Sequence, residues 1–148
     1  MTEAAYYHSK EAEEALVKPL LLLLDREGFI TGELLGVRIS SPEEASPWDI
    51  AIITSSGTLL VDIKLAAKAR LWGRIAPQTL ADIKASLERG VAVLLFVPPK
   101  VYFLNDLRHL PDELSLDFLE ENTPSVLVDP ETRNLVEAVY DQMVGTPI

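Results

Sequence analysis

The sequence contains no cysteine, which excludes disulfide bonds, thiolate metal sites and cysteine nucleophiles. It has only two histidines, His8 and His109, and they lie about 100 positions apart, without the spacing of a metal-ligand motif. Its seven glycines form no phosphate-binding loop of the nucleotide-binding kind, so we expect no nucleotide cofactor.

No apolar run approaches the roughly 20 residues that a membrane-spanning helix requires. The leucine run Leu20–Leu24 is far too short, and acidic residues precede it where a secretion signal would carry basic ones. We therefore expect a cytoplasmic protein without a membrane partner.

Basic residues are also scarce, because 13 Lys and Arg stand against 23 Asp and Glu, for a formal net charge of −10. Such a chain is repelled by nucleic acid unless its positive charge is concentrated. Between Lys64 and Lys100 there are seven basic and two acidic residues, which leaves a local net charge of +5. This stretch is either a solvated helix face or a strip that faces phosphates, and the charge alone does not decide between them.

A length of 148 residues suits a single domain over residues 1–148, and 48% hydrophobic residues are typical of a well-filled core. Helical and strand periodicities succeed one another in the order α-β-β-β-α-β-(α)-β-α, which predicts an α/β fold with a mixed sheet and one parallel pair. The predicted helices cover 10–27, with a kink or break at Pro19, 77–89, 112–121 and 131–143, and the predicted strands cover 29–40, 49–54, 58–64, 91–97, 101–104 and 125–128.

The second and third strands read as a hairpin. If Ser56 and Gly57 are the two turn residues, Asp49 lies opposite Lys64. Directly paired residues share a face of a hairpin, as do residues two apart on one strand. Asp49, Asp62 and Lys64 are therefore expected to project together from one face.

This trio suggests hydrolytic chemistry. Two neighbouring carboxylates repel each other unless a cation lies between them, and oxygen ligands suit Mg²⁺ or Mn²⁺. A nearby ammonium group, here that of Lys64, can orient the attacking water and offset negative charge in the transition state of phosphodiester hydrolysis. The alternative is a structural one, in which Asp and Lys form an exposed cross-strand ion pair of little energetic value.

The arrangement resembles the PD-(D/E)XK nuclease superfamily, which has the restriction-endonuclease-like fold. Pro47-Trp48-Asp49 stands where that superfamily has its strand-initial aspartate, and Asp62-Ile63-Lys64 stands where it has (D/E)-x-K. An amphipathic helix and a hydrophobic strand follow, as that fold requires. The resemblance covers about residues 10–100 and implies a Mg²⁺- or Mn²⁺-dependent nuclease with a mixed sheet flanked by helices.

The resemblance also assigns roles to individual residues. Asp49 and Asp62 are expected to bind the metal, with the carbonyl of Ile63 as a third ligand, and Lys64 is expected to activate water. A glutamate of the first helix is expected to assist, with Glu13 favoured and Glu14 left open. The expected nucleic-acid contacts come from Lys68, Arg70, Arg74 and Gln78.

Three questions stay open in the sequence. We expect DNA as the substrate, but the motif does not distinguish DNA from RNA. A homodimer is possible, because cutting two strands calls for two sites, but no residue establishes it. A non-catalytic interaction module, or a subunit that needs a partner for activity, would keep the same pattern. Trp72 lies among the basic residues and would either stack on a base or anchor its loop to the core.

Overall fold

The computed structural model describes the backbone of residues 3–40, 48–66 and 68–144, and the side chains of these residues except 3–10, 12, 109 and 139–144. These ranges contain five α-helices and six strands, and none of the helices is both long and apolar enough to cross a membrane. The helices are α1 Glu3–Arg26, α2 Ala69–Trp72, α3 Pro77–Glu88, α4 Leu116–Asn122 and α5 Pro130–Val144, with a 3₁₀ turn at Leu107–His109. The strands are β1 Leu34–Ile39, β2 Ile50–Thr54, β3 Gly57–Leu65, β4 Ala92–Val97, β5 Lys100–Leu104 and β6 Ser125–Leu127.

All six strands belong to one sheet, in the order β1-β2-β3-β4-β5-β6. Strands β3 and β4 are parallel, and every other neighbouring pair is antiparallel. The parallel pair requires a crossover, which α2 and α3 provide between the two strands. The predicted α/β class and mixed sheet with a parallel pair are confirmed.

Two hydrophobic layers cover the two faces of the sheet, and the strands divide their side chains between them with a period of two. One layer, here called the α1 face, joins leucines of α1 and Val136 of α5 to residues such as Val61 and Leu94. The other, the α3 face, joins Leu80 and Ile83 of α3 to the alternate residues of β4 and β5. Every residue of β4 is buried, because the strand is covered on both faces, as its continuous apolar run predicts.

The first helix differs from its prediction. It runs from Glu3 to Arg26 without a break and contains Pro19 in its interior. Proline removes one hydrogen bond of the helix and strains the preceding turn. Leu16, Leu20 and Leu23 are almost completely buried against the sheet, and the free energy of burying this stripe offsets the cost of the proline.

The β2–β3 hairpin also has a different register from the predicted one. Thr54 pairs with Gly57, so the turn residues are Ser55 and Ser56, and the predicted pairing of Asp49 with Lys64 is wrong. A hydroxyl group of the turn binds it to the loop before β1: Ser56 Oγ donates to the carbonyl of Thr31 at 2.6 Å. The register differs by two residues, which is an even number, so residues within β2 and β3 that were predicted to share a face still do so.

Gly32 closes this loop against the hairpin turn. Its φ is +79°, and a Cβ atom built on it would lie 2.4 Å from Oγ of Ser55. That oxygen cannot move away freely, because it accepts a hydrogen bond of 2.8 Å from the N–H of Glu33. Gly28 has a similar φ of +74° but open space around it.

We therefore predict that Gly32→Ala destabilises the protein more than Gly28→Ala does. Gly28→Ala should cost about 1–2 kcal/mol of unfolding free energy for the left-handed backbone alone. Gly32→Ala should cost at least about 1 kcal/mol more, because it also displaces the Ser55 hydroxyl. Urea denaturation of the two variants measures the difference, and equal losses would contradict this account of the turn.

Candidate functional site

The candidate site lies where β2 begins and the β2–β3 ladder ends. Ile50 and Val61 are the last pair of that ladder. Asp49 lies just beyond it, and its side chain replaces the missing backbone partner: Oδ2 accepts a hydrogen bond of 2.7 Å from the N–H of Ile63. The N–H and C=O of one strand residue point to the same neighbouring strand, so the Ile63 carbonyl lies on this same edge.

Asp62 lies on the α3 face and is almost completely buried, with 6% of its surface exposed. Its Oδ2 accepts a hydrogen bond of 2.6 Å from the hydroxyl of Ser86 on α3. The same oxygen lies 3.8 Å from the Lys64 ammonium and 3.9 Å from the guanidinium of Arg89. Two cations and a hydroxyl therefore balance a carboxylate that would otherwise be costly to bury.

The charges of Asp49, Asp62 and Lys64 act on one another. Burial raises the pKa of Asp49 above its usual value of 3.8, although the hydrogen bond from the Ile63 N–H opposes this effect. Repulsion by Asp62 raises the pKa further, and attraction by Lys64 lowers it. The structure thus brings the three residues into one electrostatic group, as the sequence predicts.

Each of the two carboxylates has one oxygen that forms no hydrogen bond or ion pair with the described part of the chain. Among the described residues, no hydrogen bond or ion pair reaches Oδ1 of Asp49 or Oδ1 of Asp62. No fully buried side-chain oxygen in this part of the chain lacks a hydrogen-bond partner, so neither Oδ1 atom is completely buried. They are the atoms that a cation could approach.

The donor set suits a hard divalent cation with several waters. In the ranges that the structure describes, no group of three or more His, Cys, Asp or Glu side chains is placed to hold a metal. A cation here would rely on the two Oδ1 atoms, the carbonyl of Ile63 and water. Mg²⁺ characteristically binds proteins through one or two carboxylates and keeps much of its hydration shell.

The predicted glutamates lie on α1, whereas Asp62 lies on β3 and Asp49 immediately precedes β2. Glu13 is on α1, which packs on the α1 face, whereas Asp62 projects from the α3 face. The charged groups that act on the carboxylate of Asp49 do not include Glu13. Its assisting role, and that of the exposed Glu14, remain predictions. Pro47 of the motif lies outside the described residues.

The predicted nucleic-acid contacts divide into two kinds. Arg70 is tied into the fold, because its side chain donates to the carbonyl of Pro98 and approaches Glu120. Gln78 lies on the exposed side of α3 and donates to Asp82 at 3.1 Å. Lys68 and Arg74 are exposed, and neither forms an ion pair with any described residue.

Two contributors to the site were not anticipated from the sequence, Ser86 and Arg89. The sequence pattern could have identified Ser86 as a buried polar residue, because it falls on the apolar stripe of α3 three residues after the buried Ile83. A hydroxyl at a core position requires a polar partner, and here the partner is Asp62. Arg89 follows the end of α3 and gave no comparable signal.

The chain matches no protein-family profile, and no curated protein is significantly similar to it in sequence.

We predict that Ser86→Ala lowers the free energy of unfolding by about 1.5–3 kcal/mol, because it removes a hydrogen bond to a buried charged group. In an Asp62→Asn background the same change should cost only about 0.5–1.5 kcal/mol, since the partner is then neutral. A urea-denaturation cycle of the four proteins measures this coupling, and equal losses in both backgrounds would contradict it.

The raised pKa of Asp49 predicts that removing its charge stabilises the fold, whereas removing the Ser86 hydroxyl destabilises it. The folded protein holds this proton more tightly than the unfolded chain, so the contribution of Asp49 to stability is fully present below its usual pKa of 3.8 and is lost as the pH rises through the folded pKa. Asp49→Asn, which retains an acceptor for the Ile63 N–H, should therefore raise the melting temperature at neutral pH in EDTA.

The gain should disappear in acid, where Asp49 is protonated in the parent protein. Asp112→Asn, at an exposed position, is the matched control and should leave the melting temperature unchanged. A lower melting temperature for Asp49→Asn at neutral pH would show that the ionised carboxylate stabilises the metal-free fold.

Proposed function

We propose that this protein is a metal-dependent nuclease that hydrolyses phosphodiester bonds in nucleic acid, with DNA as the expected substrate. The observation that carries the proposal is the pair of incompletely buried Oδ1 atoms without hydrogen bonds on two mutually repelling carboxylates, beside the ammonium of Lys64. A divalent cation would relieve that repulsion and, when bound, would polarise the phosphodiester and lower the pKa of a water molecule.

The chain's own groups would divide the remaining work. Asp49 and Asp62 would hold the cation through their Oδ1 atoms, because their Oδ2 atoms are already occupied by Ile63 and Ser86. Lys64 would orient the attacking water and stabilise the negative charge that develops on the phosphoryl oxygens. Ser86 would fix the rotamer of Asp62 and leave its Oδ1 available to the cation.

The order of the elements supports a restriction-endonuclease-like fold for this site. A helix, an antiparallel three-stranded meander, a crossover helix and a strand parallel to the third one succeed each other in α1, β1–β3, α3 and β4. This is the succession that the PD-(D/E)XK resemblance implies, with the acidic residues at the start of its second strand and within its third.

One observation favours a second candidate, a non-catalytic interaction module. Asp62 is already balanced by Ser86, Lys64 and Arg89, so the buried carboxylate has a sufficient structural role without a metal. The net charge of −10 would then suit a basic protein partner.

Cleavage of labelled single-stranded and duplex DNA in Mg²⁺ or Mn²⁺ tests the proposal. Lys64→Met, which retains most of the aliphatic stem, should lower the cleavage rate by about 100-fold or more. Lys84→Met on α3 removes the same charge outside the site and should cleave like the parent protein. Equal cleavage by the parent and the Lys64 variant would assign the activity to a contaminant.

Calorimetric titration of Mn²⁺ separates the candidates further. The nuclease should bind Mn²⁺ and lose that binding in Asp62→Asn. Binding without cleavage would indicate a subunit that needs a partner, and absence of both would leave the interaction module.

A further inference from the structure

We propose that the segment Lys68–Arg74, here called the α2 segment, binds unpaired nucleotides, with a base stacked on the indole of Trp72. The inference rests on the proposed function and narrows its substrate class to nucleic acid that is single-stranded next to the site. Lys68 and Arg74, at the two ends of the segment, would contact the phosphates.

The first observation is that two large apolar side chains of this segment face solvent. Leu71 is 84% exposed and Trp72 is 56% exposed. The alternative role for Trp72, anchoring its loop to the core, is instead performed by Ala69 and Ile75, which are both 2% exposed. The indole is therefore available to a ligand.

The second observation is that the segment is firmly held, so the exposure of Trp72 belongs to a defined surface. Gly73 ends α2 in the left-handed conformation, with φ of +71°. Its carbonyl accepts a hydrogen bond of 3.0 Å from the N–H of Leu116, and the N–H of Ile75 donates to the carbonyl of Leu114 at 2.8 Å. Arg70 ties the middle of the segment to Pro98. An aromatic ring on a rigid support loses little entropy when a ligand stacks on it.

The third observation is the charge of the surroundings. Residues 63–81 contain four basic residues and no acidic residue, in a chain whose net charge is −10. Of these four, Lys64 pairs with Asp62 and Arg70 with Glu120, whereas Lys68 and Arg74 form no ion pair with any described residue. Two uncompensated cations on either side of an exposed indole are complementary to a polyanion with aromatic bases.

The position of the segment connects it with the candidate site. Lys68 follows Lys64 by four residues, which span at most about 14 Å of chain. A strand bound on the α2 segment would therefore pass close to Lys64. Stacking on an indole requires a base whose face is uncovered, and inside a duplex neighbouring base pairs cover both faces, so the surface suits unpaired nucleotides.

Fluorescence anisotropy of labelled oligonucleotides, measured on the full chain in EDTA, tests the proposal. The parent protein should bind a single-stranded oligothymidine more tightly than a duplex of equal length. Trp72→Ala should weaken single-strand binding by about 5- to 100-fold, the effect of losing one stacked base, and Trp72→Phe should keep most of the affinity. Leu127→Ala, at another exposed apolar position, is the control and should bind like the parent.

The salt dependence tests the phosphate contacts separately. Lys68→Ala combined with Arg74→Ala should reduce the slope of log affinity against log salt by about 1.4, because each phosphate contact to a single strand contributes about 0.7. The double variant Lys18→Ala with Lys84→Ala removes the same charge elsewhere and should reduce the slope much less.

Three results would overturn the proposal: unchanged single-strand affinity in Trp72→Ala, equal affinity for single strand and duplex, or binding to anionic lipid vesicles without binding to oligonucleotides. Because binding is measured without metal, its outcome is independent of catalysis. Single-strand binding that depends on Trp72, in a protein that cleaves nothing, would refute the nuclease and keep the nucleotide surface. Metal-dependent cleavage, together with single-strand binding that Trp72→Ala leaves unchanged, would support the nuclease and refute the nucleotide surface.

Discussion

The hydrogen bond from the N–H of Ile63 to the carboxylate of Asp49 is the constraint on which the candidate site depends. It replaces a rung of the β2–β3 ladder with a side chain, at the point where β2 begins. The consequence is a second carboxylate beside the buried Asp62, and the pKa of Asp49 is raised mainly by its own burial and further by repulsion from Asp62. A fold that needed only stability would place a neutral acceptor there.

The two carboxylates are held in different ways, and the difference matters for function. Asp62 is fixed by Ser86 and balanced by Lys64 and Arg89, whereas Asp49 is fixed by a backbone amide and is poorly balanced. Both fixations use Oδ2 and leave Oδ1 without a hydrogen bond to any described residue. If the proposed cation binds, two rigid carboxylates with one free oxygen each would act as preorganised ligands, and the metal-free protein would bear the cost of their repulsion.

Much of the fold follows from local patterns, and most errors arise where distant residues decide. The apolar run of β4 and the amphipathic stripe of α3 are sufficient to predict both elements. Pro19 was expected to kink or break its helix; the helix is not broken, and the burial of α1 against a sheet far along the chain offsets the cost of the proline. Similarly, the turn at Ser55 and Ser56 is fixed by hydroxyl contacts to the loop at residue 31, and a local pattern does not reveal such contacts.

The grouping of Asp49, Asp62 and Lys64 was predictable because alternation along a strand depends only on even and odd spacing, which an even shift in register preserves. The ion pair of Arg70 within the fold was not predictable, since its partner Glu120 lies fifty positions away along the chain.

The most direct test of the central claim is a crystal structure with Mn²⁺, located by its anomalous scattering. The account predicts an ion about 2.1 Å from Oδ1 of Asp49 and of Asp62, with Ser86 still bound to Oδ2. A crystal in which Mn²⁺ lies elsewhere, or is absent from between these carboxylates, would contradict it.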